Sequence, residues 1–189
     1  MYKRQYKIRL ITLNKSYRST QPITNFAKAL LPKHDHIQAF NRAGDMPEVL
    51  TVSSADATAS LSRLVTRLLT VDSTVAILTK DAKTAAQLYA TLKLDTPVTL
   101  LSANDHSLKN GCVILPVYLA KGLEFDAVVG WDISATTYRN EADRDILYTL
   151  CSRALHHLTL VTLDAPSPLI TALPTDLYRR TGDASEARV

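Results

Sequence analysis

The stretch Leu115-Pro-Val-Tyr-Leu-Ala-Lys-Gly-Leu-Glu-Phe-Asp-Ala-Val-Val-Gly-Trp-Asp-Ile-Ser134 places two apolar runs on either side of a charged turn, Lys121-Gly-Leu-Glu124. Residues 113–119 read as one short strand and 127–133 as another. Both are nearly continuous in apolar residues, as strands covered on both faces of a parallel sheet are. The chemistry lies in the turn. Gly122 permits a backbone geometry or a close approach that a side chain blocks, and it sets Lys121 and Glu124 on opposite sides of the bend. A lysine offers a point charge to phosphate, whereas an ionised glutamate only accepts hydrogen bonds, for instance from a sugar hydroxyl. The same pair equally suits a solvated turn in which the two charges meet weakly across the surface.

Upstream, the pattern in 13–31 predicts a helix N-capped by Ser19 or Thr20, with Pro22 in its first turn and Ile23, Phe26, Ala27 and Leu30 on one face. Tyr17 and Arg18 then stand at a helix entrance. Free backbone N–H groups and the positive end of the helix dipole favour an anion there, so Arg18 suits a phosphate and the Tyr17 ring a base. The plainer reading of Arg18 is a partner for surface carboxylates. Downstream, 141–155 predicts a helix with acidic first turns and an apolar face through Ile146, Leu147, Leu150 and Ala154. Arg153 falls near its end, just before a strand at 158–163. An arginine at such a junction either stabilises charge on a phosphoryl group or satisfies the carbonyls of the last helical turn.

The rest of the chain alternates in the same way. Strands are predicted at 47–52, 74–79 and 97–101, and helices at 55–69 and 80–92, with a polar connecting loop at 104–111. That alternation predicts an α/β fold, a mainly parallel sheet with helices on both faces. Lys80 and Lys83 either touch phosphate or nucleic acid or form a solvated first turn. Trp131 reads as core, and Asp132 either orients Arg18 or Arg153 or caps a loop. The 189 residues, 46% of them hydrophobic, suffice for one core. Residues 1–10 read as a basic connector or first strand, 11–165 as the domain, and 166–189 as a C-terminal extension, disordered from about residue 181. A net charge of +4 is compatible with a nucleic-acid groove. Cys112 and Cys151 read as reduced buried thiols, which points to the cytoplasm. The five histidines make no metal pattern; His34 and His36 fall in a polar loop, and His156 and His157 read as caps on the preceding helix. No signal peptide, membrane-spanning run or repeat is legible.

In order along the chain, Asn14-Lys-Ser-Tyr-Arg-Ser-Thr20, Val117-Tyr-Leu-Ala-Lys-Gly-Leu-Glu-Phe125 and Leu147-Tyr-Thr-Leu-Cys-Ser-Arg-Ala-Leu155 resemble motifs IV, V and VI of the C-terminal RecA-like (2A) domain of UvrD/Rep/PcrA-type superfamily 1 helicases. The resemblance implies a RecA-like, P-loop NTPase-type fold and an ATP site in which Tyr17 stacks on adenine, Glu124 bonds the ribose, Gly122 shapes the turn, and Arg18 and Arg153 reach the γ-phosphate. It also implies that Lys121 and Tyr118 face a nucleic-acid strand. Tyr118 and Leu119 stand where DNA helicases commonly have a histidine and a small polar residue, and Ser152 stands where threonine is usual. The combination of Pro116-Val-Tyr-Leu-Ala-Lys-Gly-Leu-Glu-Phe-Asp126 with Trp131-Asp-Ile-Ser134, Tyr138 and Glu141-Ala-Asp-Arg-Asp-Ile-Leu-Tyr-Thr149 resembles the HelD branch, bacterial ATPases that bind RNA polymerase. Residues 31–111 are too few for the inserted 2B domain of UvrD-type proteins. The chain has no Gly-x-x-x-x-Gly-Lys-Ser/Thr loop and no Walker B Asp-Glu pair. The resemblance therefore implies half of a composite ATP site. ATP would bind with Mg²⁺ held mainly by an upstream RecA-like domain of the same parent chain, and the isolated chain would be inactive. The alternative is a hydrolysis-dead docking module for nucleic acid or RNA polymerase.

Overall fold

The computed structural model describes residues 15–16, 18–31, 38–39, 42–94, 96–102 and 110–182. In chain order its elements are β1 (Lys15–Ser16), α1 (Gln21–Ala29), β2 (Gln38–Ala39), β3 (Glu48–Val52), α2 (Ala57–Leu68), β4 (Thr74–Thr79) and α3 (Ala82–Thr91). These are followed by β5 (Val98–Leu100), β6 (Gly111–Pro116), β7 (Phe125–Gly130), α4 (Ala142–Cys151), β8 (Ala154–Leu163), α5 (Pro168–Thr171) and β9 (Arg179–Gly182). Strands β3 to β9 form one seven-stranded sheet in the order β5-β6-β4-β7-β8-β3-β9. Every pairing in it is parallel. β1 and β2 pair separately, also in parallel.

The central strands are apolar on both faces because each face meets helices. Ala76 and Leu78 of β4 and Val128 of β7 join a core with Ile23, Phe26 and Leu30 of the α1 segment and Leu147 and Leu150 of α4. The alternate residues Val75, Ile77, Ala127 and Val129 join a second core with Leu61, Leu64 and Val65 of α2 and Leu88 of α3. A two-residue period therefore sends successive side chains into opposite cores, and each fully buried Leu or Ile contributes about 1.5–3 kcal/mol. The predicted α/β architecture, with helices on both faces, is the one observed.

Two predicted segments differ most. The strand predicted at 113–119 runs instead from Gly111 to Pro116, and Val117–Ala120 form a 3-10 turn. The chain must return from the C-terminal edge of β6 to the N-terminal edge of β7 within 117–124. Val117 and Ala120 are buried on the way, which imitates a strand pattern. Residues 166–182 are no appendage: β9 pairs with β3, and Leu169, Ile170 and Tyr178 are buried, with the Tyr178 ring edge-on to Phe26 at 5.7 Å. The domain thus runs beyond residue 165, and Thr181 and Gly182 belong to a strand. The basic connector at 1–10, the loop histidines His34 and His36, and residues 183–189 lie outside the described residues.

Lys80 is partly buried and bonded within the fold, not freely solvated. Its ammonium donates to Asp143 Oδ1 at 2.7 Å and to the Thr137 carbonyl, and it lies 4.9 Å from the centre of the Tyr138 ring. Asp143 Oδ2 also accepts the backbone N–H groups of Arg139 (2.9 Å) and Asn140 (3.1 Å). Burial alone would raise the Asp143 carboxyl, but Lys80 and the two amides outweigh it and hold the group below its ordinary value of 3.8. A carboxylate depressed in this way stabilises the fold fully above its unfolded pKa, and the contribution is lost as pH falls through the folded one. Asp143→Ala is expected to cost about 3 kcal/mol in urea unfolding at pH 7. That cost should shrink once the pH drops below the ordinary aspartate value.

Packing at Gly130 gives a second expectation. A Cβ there would lie 2.8 Å from Leu160 Cδ2 and 3.1 Å from Leu150 Cδ2, inside a closed core. Gly130→Ala should lower unfolding free energy by about 1–3 kcal/mol, measured by the same denaturation.

Candidate functional site

The passage from α4 into β8 draws the three motif segments together. The Arg153 carbonyl accepts the Phe125 N–H at 3.0 Å, the Ala154 carbonyl accepts the Ser19 hydroxyl at 2.6 Å, and the Leu155 carbonyl accepts the Thr20 N–H at 3.1 Å. The register of β7 against β8 shifts between Phe125 and Ala127, so β8 carries an extra residue beside this junction. Arg18, the Lys121–Glu124 turn and Arg153 consequently meet at the N-terminal edge of β7 and β8. The N-cap of α1 is Thr20, with proline in the first turn, but the Thr20 hydroxyl makes no capping bond and is buried without a partner.

Arg153 satisfies a carbonyl of the last helical turn. Its Nε donates to the Thr149 carbonyl (3.2 Å), Nη1 to the Leu123 carbonyl (3.3 Å) and Nη2 to Ser152 Oγ (3.0 Å), so it closes the end of α4 and ties that helix to the 117–124 connection. A guanidinium has five N–H donors, which leaves two for another ligand. Burial, and then the charge of Arg18, lower its pKa, with Glu124 opposing. The fold therefore holds a partly desolvated cation beside a second one. Arg18 is half exposed, at 50%, and forms an ion pair with Glu124, which is 34% exposed. A cleft of about 140 Å³ opens between α1 and α4, lined by Arg18, Thr24, Lys28, Tyr148, Ser152 and Arg153. Burial also lowers the Lys28 ammonium. Three cations facing a small cleft with one nearby carboxylate make a place for an anion whose oxygens accept several hydrogen bonds.

The remaining predicted residues fall out as follows. Gly122 has φ +84° and open space where a Cβ would stand, so glycine serves the backbone conformation and not a close approach. Lys121 is exposed and Tyr118 is 63% exposed, on the same connection. Tyr17 lies outside the described residues. Trp131 is buried, as predicted. Asp132 sits at the opposite, C-terminal end of β7 with φ +56°, accepts the Thr137 hydroxyl at 2.6 Å and touches neither arginine. Asp132 caps a loop. His156 and His157 do not cap α4. They lie in β8, where His156 faces the Arg42 guanidinium and His157 stands between Asp72 (2.8 Å) and Asp45 (3.3 Å). Burial pushes the Asp72 carboxyl up, against the pull of His157. Sequence reasoning passed over Arg42 and Lys28. Nothing local marks Arg42, whose partners stand 24 and 114 residues away.

Cys112 and Cys151 are buried free thiols, and burial pushes Cys112 up to about 12. Among the described residues no group of His, Cys, Asp or Glu could hold a metal ion, and no helix is long and apolar enough to cross a membrane.

A parallel α/β sheet of this order, with a basic cleft where three motif segments meet, defines a helicase RecA-like domain. A family described as UvrD-like helicase C-terminal domain matches residues 111–161, a span that holds both the Lys121–Glu124 turn and Arg153. The solved C-terminal domain of a possible DNA helicase from Lactobacillus plantarum WCFS1 is 37% identical, with a TM-score of 0.75 over 87% of this chain and 98% of that one. Arterivirus nonstructural protein 10 (helicase), solved with DNA, is 11% identical over 85% of this chain and 37% of that one, and its TM-score of 0.48 adds nothing to the reading. No curated protein matches. The chain belongs to the UvrD-like helicase C-terminal domain family.

The contacts separate the structural share of two site residues. Arg153→Ala removes three hydrogen bonds and should lower the unfolding free energy by about 1–3 kcal/mol. Glu124→Gln removes only an exposed pair and should change it by less than about 1 kcal/mol. Chemical denaturation of the two variants checks both.

Proposed function

We propose that this domain supplies half of a composite ATP site in a superfamily 1 helicase or translocase, closing against an upstream RecA-like domain that carries the P-loop. One observation carries the reading: Arg18 and Arg153 open onto one cleft because their segments are tied to consecutive residues of one junction. The donor set fits a triphosphate terminus. Arg18 and the two uncommitted donors of Arg153 would take γ-phosphate oxygens, Glu124 the ribose hydroxyls, and Tyr17 the adenine face, with Gly122 holding the turn. Mg²⁺ would be held mainly by the upstream domain, where it would neutralise phosphate charge.

The Arg18–Glu124 pair supports this division. Each member has a different part of one nucleotide as its ligand, so nucleotide entry replaces the pair by two new contacts. Separating an exposed ion pair costs at most about 1 kcal/mol, far less than charge-assisted bonds to phosphate return. Exposed Tyr118 and Lys121, on the connection that ends at Glu124, would face the nucleic-acid strand. Nucleotide-driven closure would then move the strand contacts together with the phosphate contacts. The combination of 116–126, Trp131–Ser134 and 141–149 supports a HelD-like branch acting on RNA polymerase in the cytoplasm. Recovery of RNA polymerase with the purified native protein tests that branch.

In the native polypeptide that bears this sequence, Arg153→Ala is expected to cut ATP hydrolysis by at least ~10³-fold while nucleotide binding stays nearly unchanged. Unchanged turnover would remove the finger role.

A further inference from the structure

The segment 42–45 crosses the N-terminal edge of the sheet as a strap over the start of α1. Arg42 grips the Arg18–Thr20 turn from both sides. Its guanidinium Nη1 donates to the Arg18 carbonyl at 3.2 Å, and its own carbonyl accepts the Gln21 N–H at 2.8 Å. Nη2 reaches the ring of His156, 3.3 Å from Nδ1, on the strand that begins just after Arg153. Gly44 lies flush on the same turn, since a Cβ there would come within 2.3 Å of Thr20 Cγ2. The far end of the strap is held by Asp45, paired with His157 Nε2 at 3.3 Å, and His157 Nδ1 rests on buried Asp72 at 2.8 Å. A continuous line of contacts thus runs from a buried carboxylate to the backbone of Arg18.

We propose that Arg42 is the positioning residue for Arg18, fixing the backbone from which that guanidinium reaches a phosphate. The inference rests on the composite ATP site described above. In the structure the Arg18 side chain is steadied by Glu124, the residue assigned to the ribose. Once Glu124 turns to a nucleotide, the flexible Arg18 side chain depends on its backbone alone for its place, and the clamp by Arg42 sets that place. Misplacement of a catalytic group by about 1 Å can cost on the order of 10²-fold in rate.

The test uses the native polypeptide, with ATP turnover and separate affinities for ATP and ADP, and thermal unfolding of each variant as the folding check. Arg42→Ala is expected to lower kcat by about 10- to 100-fold. It should also weaken ATP binding while leaving ADP affinity within about twofold and the melting temperature near that of the parent. Arg42→Lys, which keeps a donor for the Arg18 carbonyl, should recover part of the loss. Two results overturn the proposal: turnover of Arg42→Ala within twofold of the parent, or an equal loss for ATP and ADP together with a lowered melting temperature. Arg18→Ala separates the levels of failure. If it leaves turnover intact, the composite-site reading falls and the role of Arg42 with it. If it abolishes turnover while Arg42→Ala does not, only the role of Arg42 falls.

Discussion

The three consecutive carbonyls at residues 153–155, where α4 gives way to β8, are the constraint on which the site depends. They are met by donors from two other stretches of chain: Phe125 N–H at the end of the 117–124 connection, and Ser19 Oγ and Thr20 N–H from the turn before α1. Buried backbone acceptors must be satisfied, so the fold cannot close there without bringing the Arg18 turn and the Glu124 turn alongside Arg153. The proximity of the charged side chains goes with these three bonds, two between backbone groups and one from the Ser19 hydroxyl.

Those charges sit at the unusual end of the sheet. Ligands of open parallel sheets commonly lie beyond the C-terminal ends of the strands. In this domain that edge is occupied by Lys80, Asp143, Thr137 and Asp132, where Lys80 pairs with Asp143 and the Thr137 carbonyl, and the Thr137 hydroxyl donates to Asp132. The connection from β6 to β7 instead returns to the N-terminal edge and delivers its charged turn there. Arg153 combines structural bonds with partial burial in one side chain. Three donors stitch helix to connection, and partial burial keeps the cation desolvated, which strengthens its pull on any anion admitted to the cleft.

Much of this was legible because its causes are local. The alternation of apolar runs marked β4, β6 and β7 and the helices between them, and the helix-to-strand junction placed Arg153 correctly. What the sequence hid has a common cause, contacts over long separations. Val117 and Ala120 look like strand residues because a buried turn needs the same side chains as a buried strand. Lys80 looks like a surface lysine until Asp143 and Thr137 arrive from over fifty residues away. His156 and His157 follow a helix, and only the pairing of β8 shows that they point to Arg42 and to Asp72. Residues 178–182 carry charge and small side chains, and nothing local betrays that they complete a sheet.

That last strand has a consequence for where the folding unit stops. β9 covers the outer edge of β3, pairing with it within the chain from Glu48 to Thr51. A fragment ended near residue 165, ten residues past the last helicase motif, would leave β3 as a bare template for another chain's strand and would strip Leu169, Ile170 and Tyr178 from the α1 face. The exposed Arg179 and Arg180 side chains put charge on the new outermost strand, a common guard against edge-to-edge association. The motifs that define the family therefore end well before the segment that covers the edge of β3.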